Sequence, residues 1–236
     1  MGTHALAAAR VPAGVQLPAR TEQVRTILLV CGIMSSLLYV TVDLLAAMSY
    51  EGYSYTSQTV SELIAIGAPT RAVVASLMLI YGLLIFAFAL GVWRSAGENH
   101  ALHFVAVGLI GKELLGSIVT LFFPIHMRGV EGTLSDTMHG LLTLAGSLCY
   151  LVAMGFGAAA FGKRFRLYSL GTILTLVTFG VLAGQEIPRL TANLPTPWLG
   201  VWERINIFAA MLWIAVLAVA LLRRSGALRP HERSAS

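Results

Sequence analysis

The sequence predicts an all-α, polytopic membrane protein built as a six-transmembrane-helix bundle. The chain has 236 residues, of which 57% are hydrophobic and only 11% are charged. A soluble domain carries about 25% charged residues. Mean hydropathy is +0.78, and six apolar segments approach the roughly 20 residues that a spanning helix needs. Together these observations exclude an ordinary soluble domain.

Each apolar segment is expected to be a helix, because hydrocarbon offers no water to satisfy an open backbone. The predicted spans are 27–48, 72–93, 101–123, 138–161, 167–187 and 201–222. They form one transmembrane domain over 25–223. We predict a disordered cytoplasmic tail over 1–24, which has low complexity, and a basic cytoplasmic tail over 224–236.

Basic residues predict the orientation, because Lys and Arg are enriched on the cytoplasmic side. Lys163, Arg164 and Arg166 follow the fourth span, and Arg223 and Arg224 follow the sixth. Both termini are therefore predicted to be cytoplasmic (N-in, C-in). These clusters account for the net charge of +5, and anionic headgroups would attract them. We predict membrane lipids as partners and no nucleic acid.

The first outer loop, residues 49–70, contains a helix-start signal. Thr59 and Glu62 have the spacing of a capping box, and Val60, Leu63 and Ile64 continue at helical spacing. We predict a short interfacial helix here. Glu62 either serves only as this cap or also covers a site. In the third outer loop, Thr196-Pro197 predicts the start of the sixth helix.

Charged residues within the spans need an explanation, because each costs roughly 2.5–3.5 kcal/mol at a helix centre. Lys112 and Glu113 lie near the middle of the third span, and as neighbours they point about 100° apart, so we do not expect them to pair. Asp43 is the predicted partner of Lys112, and Arg204 the predicted partner of Glu113. Alternatively, Arg204 presents its charge to an anionic headgroup. These residues either line a pocket or form a network that fixes helix packing.

Asp136 and His139 lie three residues apart at the head of the fourth span, just after His126. A His beside a carboxylate is suited to acid or base chemistry. The other interpretation makes Asp136 a helix N-cap and His139 an interfacial polar residue. The spacing matches no zinc signature, so we predict neither a metal nor a cofactor. Ser61 is a possible nucleophile only if the short helix folds inward.

Two further patterns lie in the fifth span. Gly180 and Gly184 form a small-xxx-small pattern that permits close helix approach. It would serve either packing within the chain or oligomerisation. Glu186 and Arg189 are predicted to form a local ion pair.

Three motifs resemble the domain of unknown function 998 family (DUF998), a group of six-span bacterial membrane proteins. They are SQTVSELIAIGAPTR at 57–71, FP at 123–124 with HG at 139–140, and WLGVWERI at 198–205. The resemblance covers most of residues 25–222. It implies a multi-pass protein of the bacterial inner membrane without an established activity. The family positions that carry over are Ser61, Glu62, His139 and Arg204.

Our leading functional hypothesis is a polar pocket that opens to the outer side and binds or transports a small amphiphile or lipid headgroup. Its predicted lining is Asp43, Lys112, Glu113, His139 and Arg204, with Glu62 as a cover. One alternative is an intramembrane hydrolase or lipid-modifying enzyme that uses His139 with Asp136 as the base and Arg204 as the anion holder. Another is a structural or partner protein in which the polar groups serve packing alone.

Overall fold

The structure is a computed structural model that describes residues 19–224 and residue 226. This part of the chain contains six α-helices and one short 3-10 helix. The α-helices are α1 (Ala19–Ser49), α2 (Arg71–Ala96), α3 (His100–Phe122), α4 (Leu134–Ala160), α5 (Lys163–Thr191) and α6 (Leu199–Arg224). All six are long and apolar enough to cross a membrane, which confirms the predicted class.

The helix boundaries agree with the predicted spans except at a few ends. α1 begins at Ala19, so residues 19–24 are helical and do not belong to a disordered tail. The rest of that predicted tail lies outside the described residues, as does the predicted C-terminal tail apart from Arg224 and Gly226. α6 begins at Leu199 and not at the Thr196-Pro197 pair, because Thr196 bonds to the first loop instead.

The six helices form a closed ring. Each packs against its neighbour in sequence, and α6 returns to α1. Large apolar side chains point away from the ring: Leu83 on α2 and Leu174 on α5 are 68% and 67% exposed. An apolar surface of this extent is suited to lipid.

We call the end of the ring that carries residues 50–70, 123–133 and 192–198 the loop end, and the opposite end the basic end. The basic half has a tightly packed interior. Trp213 and Phe88 are fully buried there, and the Tyr150 hydroxyl donates to the carbonyl oxygen of Ala210 at 2.9 Å.

The 3-10 helix, Val60–Ile64, folds onto the loop end of the ring. Its apolar residues Val60, Leu63 and Ile64 pack in a cluster with Val42 of α1 and Val74 of α2. The predicted capping box is confirmed, since the Glu62 amide donates to Thr59 Oγ1 and the Thr59 amide donates to the Glu62 carboxylate. Its position relative to a bilayer stays a prediction.

A second capping box starts α4, and here the predicted N-cap is wrong. Thr133 is the N-cap residue, and Asp136 is the third residue of the helix, whose carboxylate accepts from the Thr133 amide at 2.8 Å. The loop before α4 is also tied to the first loop, because the Ile66 amide donates to the Ile125 carbonyl at 2.8 Å.

Candidate functional site

Arg204 on α6 and Asp43 on α1 form the most deeply buried ion pair among the described residues, with side chains 3% and 0% exposed. Nε and Nη2 of Arg204 each donate to a different carboxylate oxygen of Asp43, both at 3.0 Å. The Tyr55 hydroxyl also donates to Asp43 at 2.9 Å. The predicted partners were therefore wrong: Asp43 does not pair with Lys112, and Arg204 does not pair with Glu113.

The other N–H groups of Arg204 hold the first loop. Nη1 lies 2.8 Å from the Tyr55 carbonyl, 2.9 Å from the Gln58 carbonyl and 3.2 Å from the Gly200 carbonyl. Nη2 donates to the Tyr53 hydroxyl at 2.6 Å. The guanidinium carbon lies 3.7 Å from the centroid of the Tyr55 ring, which adds a cation–π contact. All five N–H groups of Arg204 thus have protein partners.

This arrangement requires a close approach between the first loop and α6 at Gly200. A Cβ at this position would collide with the Gln58 carbonyl oxygen, and it would lie 2.6 Å from the Tyr55 carbonyl oxygen. Both obstacles are backbone atoms, so they cannot rotate away. Glycine at position 200 is what lets Arg204 reach the loop carbonyls.

A second ion pair joins all three loops of the loop end, and we call it the loop clamp. It consists of Glu62, Arg128, Thr196 and the Ser57 carbonyl. Arg128 donates to both oxygens of Glu62 at 2.6 and 2.9 Å, to Thr196 Oγ1 at 2.8 Å and to Ser57 O at 2.6 Å. Thr196 Oγ1 donates to the same Ser57 carbonyl at 3.1 Å. Glu62 is therefore more than a helix cap.

Local contacts determine the protonation of Glu62 in the clamp and of Tyr55 beside Asp43. Burial alone would raise the pKa of Glu62, but hydrogen bonds from Arg128 and from the Thr59 amide lower it below the ordinary value. Burial and the hydrogen bond to Asp43 raise the pKa of Tyr55 to about 12. Glu62 is consequently ionised and Tyr55 protonated near neutral pH.

Lys112 and Glu113 pair with each other, contrary to the prediction. Lys112 Nζ lies 3.0 Å from Glu113 Oε2, because the long lysine stem bends back across the 100° between adjacent helical positions. Nζ also lies 3.2 Å from the Tyr81 hydroxyl of α2. Gly82 leaves room for the carboxylate: a Cβ there would lie 2.8 Å from Glu113 Oε1.

Tyr39 of α1 and Glu203 of α6 complete this group. The Tyr39 and Tyr81 rings meet edge to face with centroids 5.1 Å apart, and Tyr39 packs against the apolar cluster that contains Val60. One oxygen of Glu203 accepts from the Val60 amide at 2.5 Å. We call Tyr39, Tyr81, Lys112, Glu113 and Glu203 the inner polar cluster.

His139 lies at the loop end between α3 and the 3-10 helix. Its Nδ1 is 2.8 Å from the Phe123 carbonyl oxygen, and its Nε2 is 3.1 Å from Ser61 Oγ. The predicted pairing with Asp136 is not formed, because Asp136 bonds to the backbone amide and Nδ1 of His126, both at 2.8 Å. Among the described residues, no three His, Cys, Asp or Glu side chains converge as metal ligands.

The fifth helix provides the remaining predicted features. Glu186 and Arg189 form the expected local pair at 3.4 Å. Gly180 faces Asn206 of α6, whereas a Cβ at Gly184 would meet no atom within 4 Å. Oligomerisation through Gly180 and Gly184 stays a prediction.

Sequence reasoning missed Arg128, whose side-chain partners lie on the two other loops. It also missed Tyr39 and Tyr81 as polar partners within the ring. The nearest sequence signal was indirect: Tyr39, Tyr81 and Lys112 each lie ten residues from the loop-end terminus of their helix, about 15 Å along the axis. Three polar side chains at one depth indicate a shared layer.

A closed ring of six lipid-compatible helices, capped by three interlocked loops, defines a multi-pass α-helical membrane protein. The family described as "Protein of unknown function (DUF998)" matches residues 33–220. The chain belongs to this family, as its motifs predicted. No curated protein and no solved structure matches the chain significantly.

Proposed function

We propose that this protein binds or transports a small amphiphile, such as a lipid headgroup, at the inner polar cluster. The loop end then faces the outside of a bacterial inner membrane, with both termini in the cytoplasm. The buried Asp43–Arg204 pair forms the wall of the site, and the loop clamp with Glu62 forms its cover. His139 lies in the wall beside the cover.

The exposure of Lys112 is the observation that carries this proposal. Lys112 sits in the middle of α3, and its neighbours Tyr81 and Glu113 are only 3% exposed. The Lys112 side chain nevertheless keeps 24% of its surface exposed. A cation at mid-helix depth that borders open space is costly unless it meets a polar group or water.

Atoms of the inner polar cluster that lack a hydrogen-bond partner also support ligand binding at this cluster. Within the described part of the chain, the Tyr39 hydroxyl and Oε1 of Glu203 have no hydrogen-bond partner, and both residues are half-buried. Together with Lys112 they offer a cation, a hydroxyl and a carboxylate oxygen. This mixture suits a zwitterionic or hydroxylated headgroup better than a simple ion.

Tyr39→Phe tests the proposal, because it removes one unpartnered hydroxyl and keeps the ring. The full chain would be purified into nanodiscs that contain phosphatidylethanolamine, phosphatidylglycerol or phosphatidylcholine, and retained lipid would be measured by native mass spectrometry. We expect unchanged thermal stability and a several-fold loss of retained lipid, since one hydrogen bond contributes about 0.5–1.5 kcal/mol.

Tyr150→Phe is the matched control, since its hydroxyl bonds to the Ala210 carbonyl. It should lower stability and leave lipid retention unchanged. Lys112→Met should abolish retention, whereas Lys163→Met at the exposed basic end should not. Equal retention by wild type, Tyr39→Phe and Lys112→Met would contradict the proposal and favour a purely structural role for the cluster.

A further inference from the structure

The contact between Ser61 and His139 belongs to neither the loop clamp nor the inner polar cluster. Ser61 lies in the 3-10 helix, and His139 lies five residues after the start of α4. They are 78 residues apart in sequence, yet Ser61 Oγ lies 3.1 Å from His139 Nε2. Ser61 therefore lies beside the imidazole of His139, as a nucleophilic role would require.

The Phe123 carbonyl determines which imidazole nitrogen carries the proton. A carbonyl oxygen only accepts hydrogen bonds, so Nδ1 of His139 must donate across the 2.8 Å contact. In the neutral ring Nε2 is then unprotonated and accepts from the Ser61 hydroxyl. This is the orientation that a serine nucleophile and its general base require, with a backbone carbonyl in the position of the usual carboxylate.

From this geometry we propose that Ser61 and His139 form a nucleophilic dyad that cleaves carboxylic esters of amphiphiles at the loop end. The inference is independent of ligand binding at the inner polar cluster. His139 is 7% exposed and Ser61 is half-buried, so the base is shielded while the nucleophile remains reachable. His139 lies about 8 Å along α4 from its loop-end terminus.

The 3-10 helix that carries Ser61 is held from both sides. The Val60 amide bonds to Glu203 of α6, and the next residue after Ser61, Glu62, bonds to Arg128. A nucleophile fixed in this way keeps its alignment with the base at little entropic cost. The clamp residues therefore act as positioning residues for Ser61.

The reaction needs only the ester and water. Ser61 Oγ bonds to the carbonyl carbon while its proton passes to His139 Nε2 and the carbonyl π electrons move to oxygen. Collapse of this adduct breaks the ester C–O bond, and the leaving alcohol takes the proton from Nε2. Water then attacks the acyl-serine in the same way and releases the carboxylic acid, which restores Ser61.

A fluorophosphonate probe tests the dyad, because it forms an Oγ–P bond and releases fluoride only at an activated serine. The full chain in detergent would be treated with the probe, and the modified residue would be located by mass spectrometry. We expect label on Ser61 in the wild type and in Ser54→Ala, which removes another serine of the same loop. Label should vanish in Ser61→Ala and fall at least tenfold in His139→Gln.

A second experiment distinguishes loss of reactivity from loss of folding. In a chain with Cys31→Ala and Cys149→Ala, Ser61→Cys should be alkylated by iodoacetamide at least tenfold faster than the same chain with His139→Gln. Wild-type protein with an intact thermal transition but no label on Ser61, or equal reactivity with and without His139, would overturn the inference.

Discussion

Arg204 and Asp43, 161 residues apart in sequence, are joined by two parallel hydrogen bonds of 3.0 Å inside the ring. The pair links the first helix to the last and therefore closes the ring. Its charges are compensated within the protein, and the same guanidinium also anchors the first loop. The pair thus joins two helices and also anchors the first loop at the loop end.

Breaking this pair should destabilise the protein strongly. Asp43→Asn or Arg204→Met leaves an uncompensated buried charge, and we expect a loss of about 3–5 kcal/mol in unfolding free energy. The measurement is thermal or denaturant unfolding in detergent. The double replacement Asp43→Leu with Arg204→Leu should cost less than either single change. Arg189→Met removes the pair with Glu186 and two hydrogen bonds to the Pro195 carbonyl oxygen, and it should cost less than either single change at the buried pair.

Gly200 should not tolerate a side chain. Gly200→Ala places a methyl group against two backbone carbonyl oxygens of the first loop, so the loop must shift and Arg204 must lose bonds. We expect lower thermal stability and faster proteolysis of residues 50–58. Gly140→Ala is the control, because a Cβ there meets no atom within 4 Å, and it should be neutral or stabilising by about 0.5–1 kcal/mol. Identical behaviour of the two variants would rule out the close approach.

The loop clamp should weaken in acid. The folded pKa of Glu62 is lowered below its ordinary value of 4.5, so its contribution to stability is present above that pH and is lost as pH falls through the folded pKa. Glu62→Gln should therefore be less stable than wild type at pH 7, and the difference should shrink as the pH falls below 4.5. Unfolding curves at several pH values measure this. Glu51→Gln, at an exposed position, should show no such dependence, and a difference that grows in acid would contradict the assignment.

The proposed orientation can be checked with single cysteines. In a chain that lacks Cys31 and Cys149, Gly132→Cys at the loop end should react with an impermeant maleimide on intact cells. Glu98→Cys at the basic end should react only after permeabilisation. Both positions are exposed, so labelling depends only on the side of the membrane that the maleimide can reach. The reverse pattern would place the loop end in the cytoplasm.

The sequence predicted local features well and long-range pairing poorly. Length and apolarity define the six helices, and the capping box of Thr59 and Glu62 depends on residues three apart. Asp43 and Arg204 were recognised as costly charges, but no local pattern shows that α1 and α6 are neighbours. Lys112 and Glu113 were not expected to pair, because adjacent helical positions point about 100° apart. That expectation neglects the reach of the four-carbon lysine side chain. Arg128 was missed because a loop arginine looks like an ordinary surface charge until the loops are assembled.

The distance in sequence between Asp43 and Arg204 has a consequence for biosynthesis. At about 5–20 residues per second, the ribosome needs on the order of 10–30 s to make the residues between them. During that interval the first helix carries Asp43, but its partner Arg204 has not yet been synthesised. Asp43 must meanwhile be protonated, hydrated or shielded by the insertion machinery. Synthesis of the sixth helix ends this interval, so the nascent chain closes its ring only after α6 has been translated.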